Sequence, residues 1–538
     1  MNWKLWVSVP LLASIWSCHS SGNQDPVALS QPATPSPTSF SSRHVVVISD
    51  LHFGLGKDEK TDRWHPMEDF RWPRQFGLFL ERIDHDGKGN TDLIINGDMF
   101  ELWQSRLDDC QDNRAKDLGC TEEESLRRLQ HVVNFHHGEL QALGSFAKRG
   151  NNRLIIIPGN HDAALLFPTV KEAVLKAIGG GQQVHISTNG YWLSADGLIY
   201  AEHGHQIGQE VNKWDQWPSP FLKENGKQYL QRPWGEKFVQ DYYNRFEAQF
   251  PIIDNISPES EGVRYAMAAE GPFRTIKDIA GFLKFYLFGV SWSQFKASLG
   301  KEEKGAPPEW DIDAIRQQGP RFFAESLPTD HPFAADVREP KDDREKEQLS
   351  ELFKSLSNGD IKAICDQRAL LVALQLEKTP TKPPTITGCP QTTGDLGAIT
   401  QALFRSGEKV LGEHLEKAVC QKLQGCAEKP FMVFIYSHTH LALPPKELTL
   451  SNGFWRPTRI NTGAWQRVAT PEEVESIKDQ RRLPKKEVLP KLNPEDLPSC
   501  YSFVLIEPYP KGKQPVPLLR YWIGEEGQPG MIKNQCNR

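Results

Sequence analysis

Short apolar runs recur along the chain from residue 44 onward, and each ends in polar residues. They are 44–49 (HVVVIS), 93–95 (LII), 154–157 (LIII), 198–201 (LIYA), 431–436 (FMVFIY), 459–460 and 502–506 (SFVLI). The runs are β-branched and continuous rather than alternating, which predicts strands buried on both faces. Between the early runs lie stretches of helical period, such as 121–146 (TEEESLRRLQHVVNFHHGELQALGSF), with an acidic first turn. Strand, helix, strand in sequence predicts α/β architecture. The pattern changes between His205 and Phe431, where strand signals are few. Segments 275–299 and 342–356 read as helices, and Pro- and Gly-rich breaks such as 378–390 separate them. Residues 206–430 therefore read as a mostly helical insertion between a first part, 43–205, and a second part, 431–538.

The segment ahead of residue 43 has another character. Residues 19–42 are rich in Ser, Pro, Thr and Gln and should form a solvated tether. Before them, Lys4 precedes an apolar run over 5–16 that is broken by Pro10. The run is too short for a bilayer but suits a secretory signal. Its end, Ile15-Trp16-Ser17-Cys18, resembles the lipobox of bacterial lipoproteins. That resemblance implies a signal peptide over 1–18, a lipidated Cys18 and a membrane anchor, with His19 favouring the outer over the inner membrane. A plain signal peptide cut near Ser20 also gives export.

Composition adds exclusions. The 538 residues are 38% hydrophobic and 25% charged, an ordinary globular balance that excludes a wholly disordered chain, a collagen and a polytopic membrane protein. The net charge of −6 lacks a basic footprint and argues against a nucleic-acid partner. There are nine cysteines. Setting Cys18 aside leaves Cys110, Cys120, Cys365, Cys389, Cys420, Cys426, Cys500 and Cys536, an even set that reads as disulfides in an exported protein. Cys110 and Cys120 bracket a short polar loop and are the predicted pair. No thiolate-zinc spacing occurs.

The candidate chemistry sits at the strand ends. Asp50-Leu51-His52 follows the first run, and Gly97-Asp98 the second. Gly159-Asn160-His161-Asp162 follows the third, His203-Gly204-His205 the fourth and His438-Thr439-His440 the fifth. Carboxyl ends of sheet strands are where α/β proteins build sites. In extended backbone, residues i and i+2 project to one side, so each Asp-x-His or His-x-His should act as a pair. Carboxylate, imidazole and amide oxygen suit divalent first-row metals. The set is too long for one ion and predicts two that share a carboxylate, an arrangement used for phosphoryl ester cleavage.

In this order after strands, the motifs resemble the calcineurin-like metallophosphoesterase superfamily over residues 43–205 and 431–523, leaving 206–430 unexplained. The resemblance implies a four-layer α/β/β/α sandwich and two divalent ions such as Mn, Fe or Zn. Asp50, His52 and His440 would bind the first ion, Asn160, His203 and His438 the second, and Asp98 would bridge them. His161 would face the leaving group without binding metal, and Asp162 would orient it. His205 would contact substrate phosphate or stand in the outer shell. Ser437 departs from the family's Gly, and Glu101 stands where purple acid phosphatases carry a tyrosine. The stretch from Gly97 to Trp103 is similar to the branch holding UDP-diacylglucosamine pyrophosphohydrolases, and Asn461-Thr462-Gly463-Ala464-Trp465 looks like the family's closing motif.

The implied activity is hydrolysis of a phosphomonoester, phosphodiester or pyrophosphate outside the cytoplasm, on a phosphorylated small molecule or lipid headgroup. A nuclease, or a binding scaffold that has kept only the fold, are the competing readings. His65, His131, His136 and His137 match no motif and read as helix or surface histidines. Lys57 and Arg63 read as members of a solvated loop rather than phosphate contacts. The apolar segment 279–292 reads as a buried helix or as a wall for a lipid-like substrate.

Overall fold

The computed structural model describes residues 43–256 and 407–536, apart from 59, 105–109, 111–117, 208–213, 234–235, 237–239, 241–243, 248, 421–422, 424–430, 451–454, 485–486 and 526. The tether, the signal-like segment and the helices expected over 275–299 and 342–356 lie outside the described residues.

The chain is mixed α/β. Every β-branched run in the sequence is a strand, and each strand alternates its side chains between two cores. The larger sheet has seven strands in the order β15-β14-β13-β1-β2-β4-β5. These are Met531–Lys533, Pro517–Ile523, Cys500–Ile506, His44–Ile48, Thr91–Asn96, Arg153–Ile157 and Val184–Ile186. The central strands β1, β2, β4 and β5 run parallel, and β13 joins β1 antiparallel. A five-stranded sheet has the order β11-β12-β10-β7-β6. Its strands are Leu443–Glu447, Thr458–Asn461, Val433–Tyr436, Ile199–Ala201 and Trp192–Leu193.

Alternation along β1 shows how the layers form. Val45 and Val47 face the second sheet and share a buried core with Ile94, Ile155, Ile199, Val433, Ile435 and Ile460. Val46 and Ile48 face the other way, onto helices. Helix α1, Pro73–Asp86, supplies Phe76, Phe79, Leu80 and Ile83 at helical spacing to that face. Phe79 is fully buried and its ring meets Trp465, Phe503 and Trp522. Truncating such a ring to Ala costs about 3–5 kcal/mol. On the far side of the second sheet, Tyr200, Phe434 and Tyr436 pack with Leu411, Leu415 and Val419.

Two expectations need correcting. The single helix expected over 121–146 is two helices, α2 (Glu122–Phe135) and α3 (His137–Ala147). Thr121 and Glu124 form a capping box at its start, as the acidic turn suggests. The break falls at His136, whose ring is buried, stacks on Phe53 at 4.7 Å and lies 3.4 Å from Glu68. His136 is thus a core residue, whereas His131 and His137 are exposed. The second concerns only the start of 206–430, which is not helical throughout. It holds a β-hairpin, β8 (Phe221–Glu224) and β9 (Lys227–Gln231), that pairs with β3 (Leu118–Thr121). Asn225 and Gly226 carry the turn with positive φ, and this Asn-Gly signal is present in the sequence.

The predicted Cys110–Cys120 disulfide is formed, and Cys500 pairs with Cys536. The second bridge ties the last described residues to β13. Among the described residues no helix is long and apolar enough to cross a membrane.

Candidate metal centre

The loops after β1, β2, β4, β7 and β10 meet at one rim, and there the strand-end residues come together. The first two loops are zipped by backbone bonds: Asp50 N donates to Gly97 O (3.1 Å), His52 N to Asp98 O (3.0 Å) and Phe53 N to Met99 O (2.9 Å). These turns are tight. Among the described residues nine non-glycine positions have positive φ, and five are Asp50, His52, Asp98, His438 and His440. Backbone held in this region is strained and marks functional sites. It also corrects the pairing argument. Asp50 and His52 share a site through a left-handed turn, not an extended strand. His438 and His440 do not pair at all; they diverge to different clusters.

One cluster is Asp50, His52 and His440, and another is Asp98, His203 and His438. His440 Nε2 lies 3.4 Å from Asp50 Oδ1. His52 Nε2 lies 4.0 Å from both Asp50 Oδ1 and Asp98 Oδ2, so Asp98 stands between the clusters. His203 Nε2 is 2.9 Å from Asp98 Oδ2 and 3.0 Å from Asn160 Oδ1. Close backbone approach makes this possible. A Cβ on Gly97 would sit 2.2 Å from His203 Nδ1, and one on Gly159 would sit 2.1 Å from Asp98 Oδ1.

The tautomers follow from the outer partners. His203 Nδ1 can only donate to the carbonyl of Asn96, at 2.8 Å. His52 Nδ1 faces the Glu101 carboxylate at 2.8 Å. Each imidazole therefore turns a bare Nε2 lone pair toward carboxylate or amide oxygens. Acceptors facing acceptors repel, so both positions call for a cation, either a proton or a metal. His52 Nε2 is buried with no hydrogen-bond partner.

Electrostatics of the polypeptide agree. Burial opposes the charged form of His203, but Asp98 outweighs it and raises the ring to about 9. Burial likewise opposes ionised Asp98, yet His203 and His161 hold it well below the usual carboxylate range. Burial and the His203 ring push His438 down to about 3, so it is neutral, the form that ligates metal.

His161 falls in a third group of potential ligands, with His52 and Glu101, but its Nδ1 is committed to the Glu101 carboxylate. Its backbone N donates to Asp98 Oδ1 at 2.9 Å, and its Nδ1 donates to Glu101 Oε2 at 2.5 Å. Trp103 stacks on its ring at 4.1 Å. Burial works against its charge, but Glu101 and Asp98 raise it to about 9. Glu101, not Asp162, orients this ring, because the Asp162 carboxylate is taken by the backbone N–H groups of Met99 (2.8 Å) and Gly159 (2.7 Å). Asp162 thereby locks two loops together, and burial with the nearby Asp98 charge pushes it up to about 7. No motif in the sequence gives Glu101 a role, yet it is the hub of this site. It accepts from His52, His161 and the backbone of Trp103 and Gln104, and burial notwithstanding, the two histidines hold it down at about 2.

His205 is 3% exposed, and neither ring nitrogen has a hydrogen-bond partner. Trp217 meets it edge-on at 4.3 Å, Trp214 at 5.3 Å, and His203 lies at 5.5 Å. Burial and the two neighbouring histidines keep it well below its ordinary value, hence neutral. Ser437 is not strained, and its hydroxyl is used: it accepts from Asn96 Nδ2 (2.6 Å) and Thr462 Oγ1 (2.9 Å), stitching the two sheets behind the site. Lys57 pairs with Asp62 at 3.1 Å and lies over Trp64.

Comparisons with protein-family models, with curated proteins and with solved structures gave no match.

Proposed function

We propose that the chain is a metal-dependent phosphoesterase of the calcineurin-like type, built on a four-layer α/β/β/α sandwich. The observation that carries this is the pair of imidazole nitrogens, His52 Nε2 and His203 Nε2, turned toward Asp50, Asp98 and Asn160. Such a donor set fits borderline divalent ions. Asp50, His52 and His440 would hold one ion, Asn160, His203 and His438 a second, with Asp98 shared. When bound, the ions polarise phosphoryl oxygens and make a water acidic enough to act as nucleophile near neutral pH.

The chain's own residues do the rest. His161, protonated and fixed at Nδ1 by Glu101, offers its Nε2 proton to the departing oxygen. Trp103 stacks on that ring and limits its rotation. Trp103, Trp214, Ser125, Arg128 and Glu236 line a small hollow beside His161 and Asn160. The completeness of the donor set supports an enzyme over a scaffold, and the net charge favours a small phosphorylated or lipid-headgroup substrate over nucleic acid. Export and a lipid anchor at Cys18 belong to the same proposal. A Cys18→Ser chain should then leave the membrane fraction.

The direct test is metal-reconstituted protein against p-nitrophenyl phosphate, its bis-ester, nucleotides, phospholipids and DNA, beside Asp98→Asn. Turnover with about two metal ions per chain, both lost in Asp98→Asn, is expected. A variant that keeps metal and turnover would remove the shared-carboxylate assignment.

A further inference from the structure

Outside this centre, Asp69, Glu247 and Asp254 converge from distant parts of the chain. Asp69 lies in the loop between β1 and α1. Glu247 ends a short helix, Asn244–Glu247, and Asp254, half-buried, lies in a turn stapled by apolar packing. Ile252, Ile253 and Ile256 anchor that turn against Val474, Val488 and Leu489. One carboxylate oxygen from each acid lies within 4.8 Å of the others. Oxygens held about 2.4 Å from one ion can be no more than about 4.8 Å apart, so the three meet the geometric condition for a common cation.

A second observation points the same way. Glu247 is 1% exposed and Gln104 is 7% exposed. Gln104 Nε2 donates to Glu247 Oε1 at 2.5 Å. The remaining oxygen on each, Glu247 Oε2 and Gln104 Oε1, is buried with no hydrogen-bond partner. Glu247 thus brings an unsatisfied oxygen to the acidic cluster, and Gln104, bonded to it, holds another. Asp69 and Glu247 form no ion pair with Lys or Arg among the described residues. Burial, then repulsion from Asp254 and the other nearby acids, pushes both well above the usual carboxylate range. Asp69 and Glu247, buried with carboxylate oxygens within 4.8 Å of each other, cannot both stay ionised without a cation, either a proton or a metal.

We propose that Asp69, Glu247 and Asp254, with the Gln104 amide, form a separate all-oxygen site for a hard divalent cation of the calcium or magnesium class. It has no imidazole and no thiolate, which excludes the softer metals suited to the histidine clusters. It shares no residue with those clusters. A cation here cross-links the loop after β1 to the segment that opens the 206–430 insertion.

The test uses the full chain stripped with a chelator and titrated with calcium chloride alone. Bound calcium is counted by equilibrium dialysis, and melting temperature is followed in parallel. Wild type should take up calcium and melt higher. Asp98→Asn should keep that rise, because the histidine centre is not its source. Glu247→Gln should lose one calcium per chain and the rise, while hydrolysing p-nitrophenyl phosphate with manganese within about two-fold of wild type. Without calcium, Glu247→Gln should melt at or above the stripped wild type, since it removes a repulsive charge. Asp69→Asn should repeat the pattern if Glu247→Gln does not fold. Equal calcium uptake by wild type and both variants, no uptake by wild type at millimolar calcium, or a lower calcium-free melting temperature in both variants would overturn the site.

Discussion

The His161 imidazole donates through Nδ1 to Glu101 Oε2 across 2.5 Å, and the same oxygen takes the Nδ1 proton of His52. One carboxylate therefore sets the tautomer of a metal-facing ring and of the ring proposed as the acid. Glu101→Gln should cost about 10–100-fold in turnover, the usual range for outer partners of metal ligands. The pH profile carries the sharper outcome. Glu101 raises His161 to about 9, and an acid must be protonated to work, so activity falls as pH rises through that value. Removing the carboxylate should move this alkaline limb to lower pH. A kcat–pH profile on an ester with a poor leaving group checks it; an unmoved limb would separate Glu101 from His161.

His161→Ala separates proton donation from metal binding. No nitrogen of His161 faces Asp50 or His203 among the contacts above, so metal content should stay at the wild-type level. Turnover should fall by about 10²–10⁴-fold for an alkyl phosphate. The loss should shrink for p-nitrophenyl phosphate, whose phenolate leaves without a proton. Equal losses across leaving groups would mean that the ring positions substrate instead.

Three glycine substitutions distinguish strain from collision. Gly97 has φ +90, and an added Cβ meets His203 Nδ1 at 2.2 Å. Gly159 has no positive φ, but its Cβ meets the Asp98 side chain and backbone N at 2.1 and 2.6 Å. Gly226 has φ +77 and nothing within 4 Å. Gly226→Ala should cost only the backbone term, about 1–2 kcal/mol, with metal content unchanged. Gly159→Ala should cost about 1–3 kcal/mol from overpacking and lose metal as Asp98 is displaced. Gly97→Ala should suffer both. Denaturant melts with metal analysis on the three proteins decide it; equal metal content throughout would show that the rim tolerates the displacement.

Much of this rim was legible because local sequence and tertiary position coincide there. A β-branched run followed by Asp or His places that residue at a strand end, and parallel strands share one end. What was not legible depends on contacts between distant residues. Glu101 looks like a loop acid until His52 and His161 arrive from β1 and β4. Asp162 looks like a partner for His161 because it is adjacent in sequence, yet its carboxylate turns back onto Met99 and Gly159. The helix break falls at His136, whose pairing with Glu68 no periodicity encodes. The acids at 69, 247 and 254 carry no motif. The hairpin at 221–231 is different, since its Asn-Gly turn stood in the sequence and was outweighed by the helical character of the longer stretch around it.

The His136–Glu68 pair gives a stability test remote from the metal centre. Burial disfavours charged His136, but Glu68 outweighs it and raises the ring above its ordinary value. Glu68 also accepts from the backbone N–H groups of Gly56 and Phe70, so the pair fixes the loop that follows the first motif. The sign follows from linkage. A histidine whose folded value is raised contributes stability that is complete below its unfolded value, near 6.5, and is lost as pH climbs through the folded one. His136→Gln keeps a hydrogen-bonding side chain but removes that charge. Its melting temperature should fall furthest below wild type near pH 6, where the lost charge-assisted bond is worth about 1.5–3 kcal/mol. The gap should close as pH rises through the raised folded value. Comparing the two proteins at each pH cancels titrations they share, including those at the metal clusters. A gap constant across this range would mean that His136 is buried neutral and acts by packing on Phe53 alone.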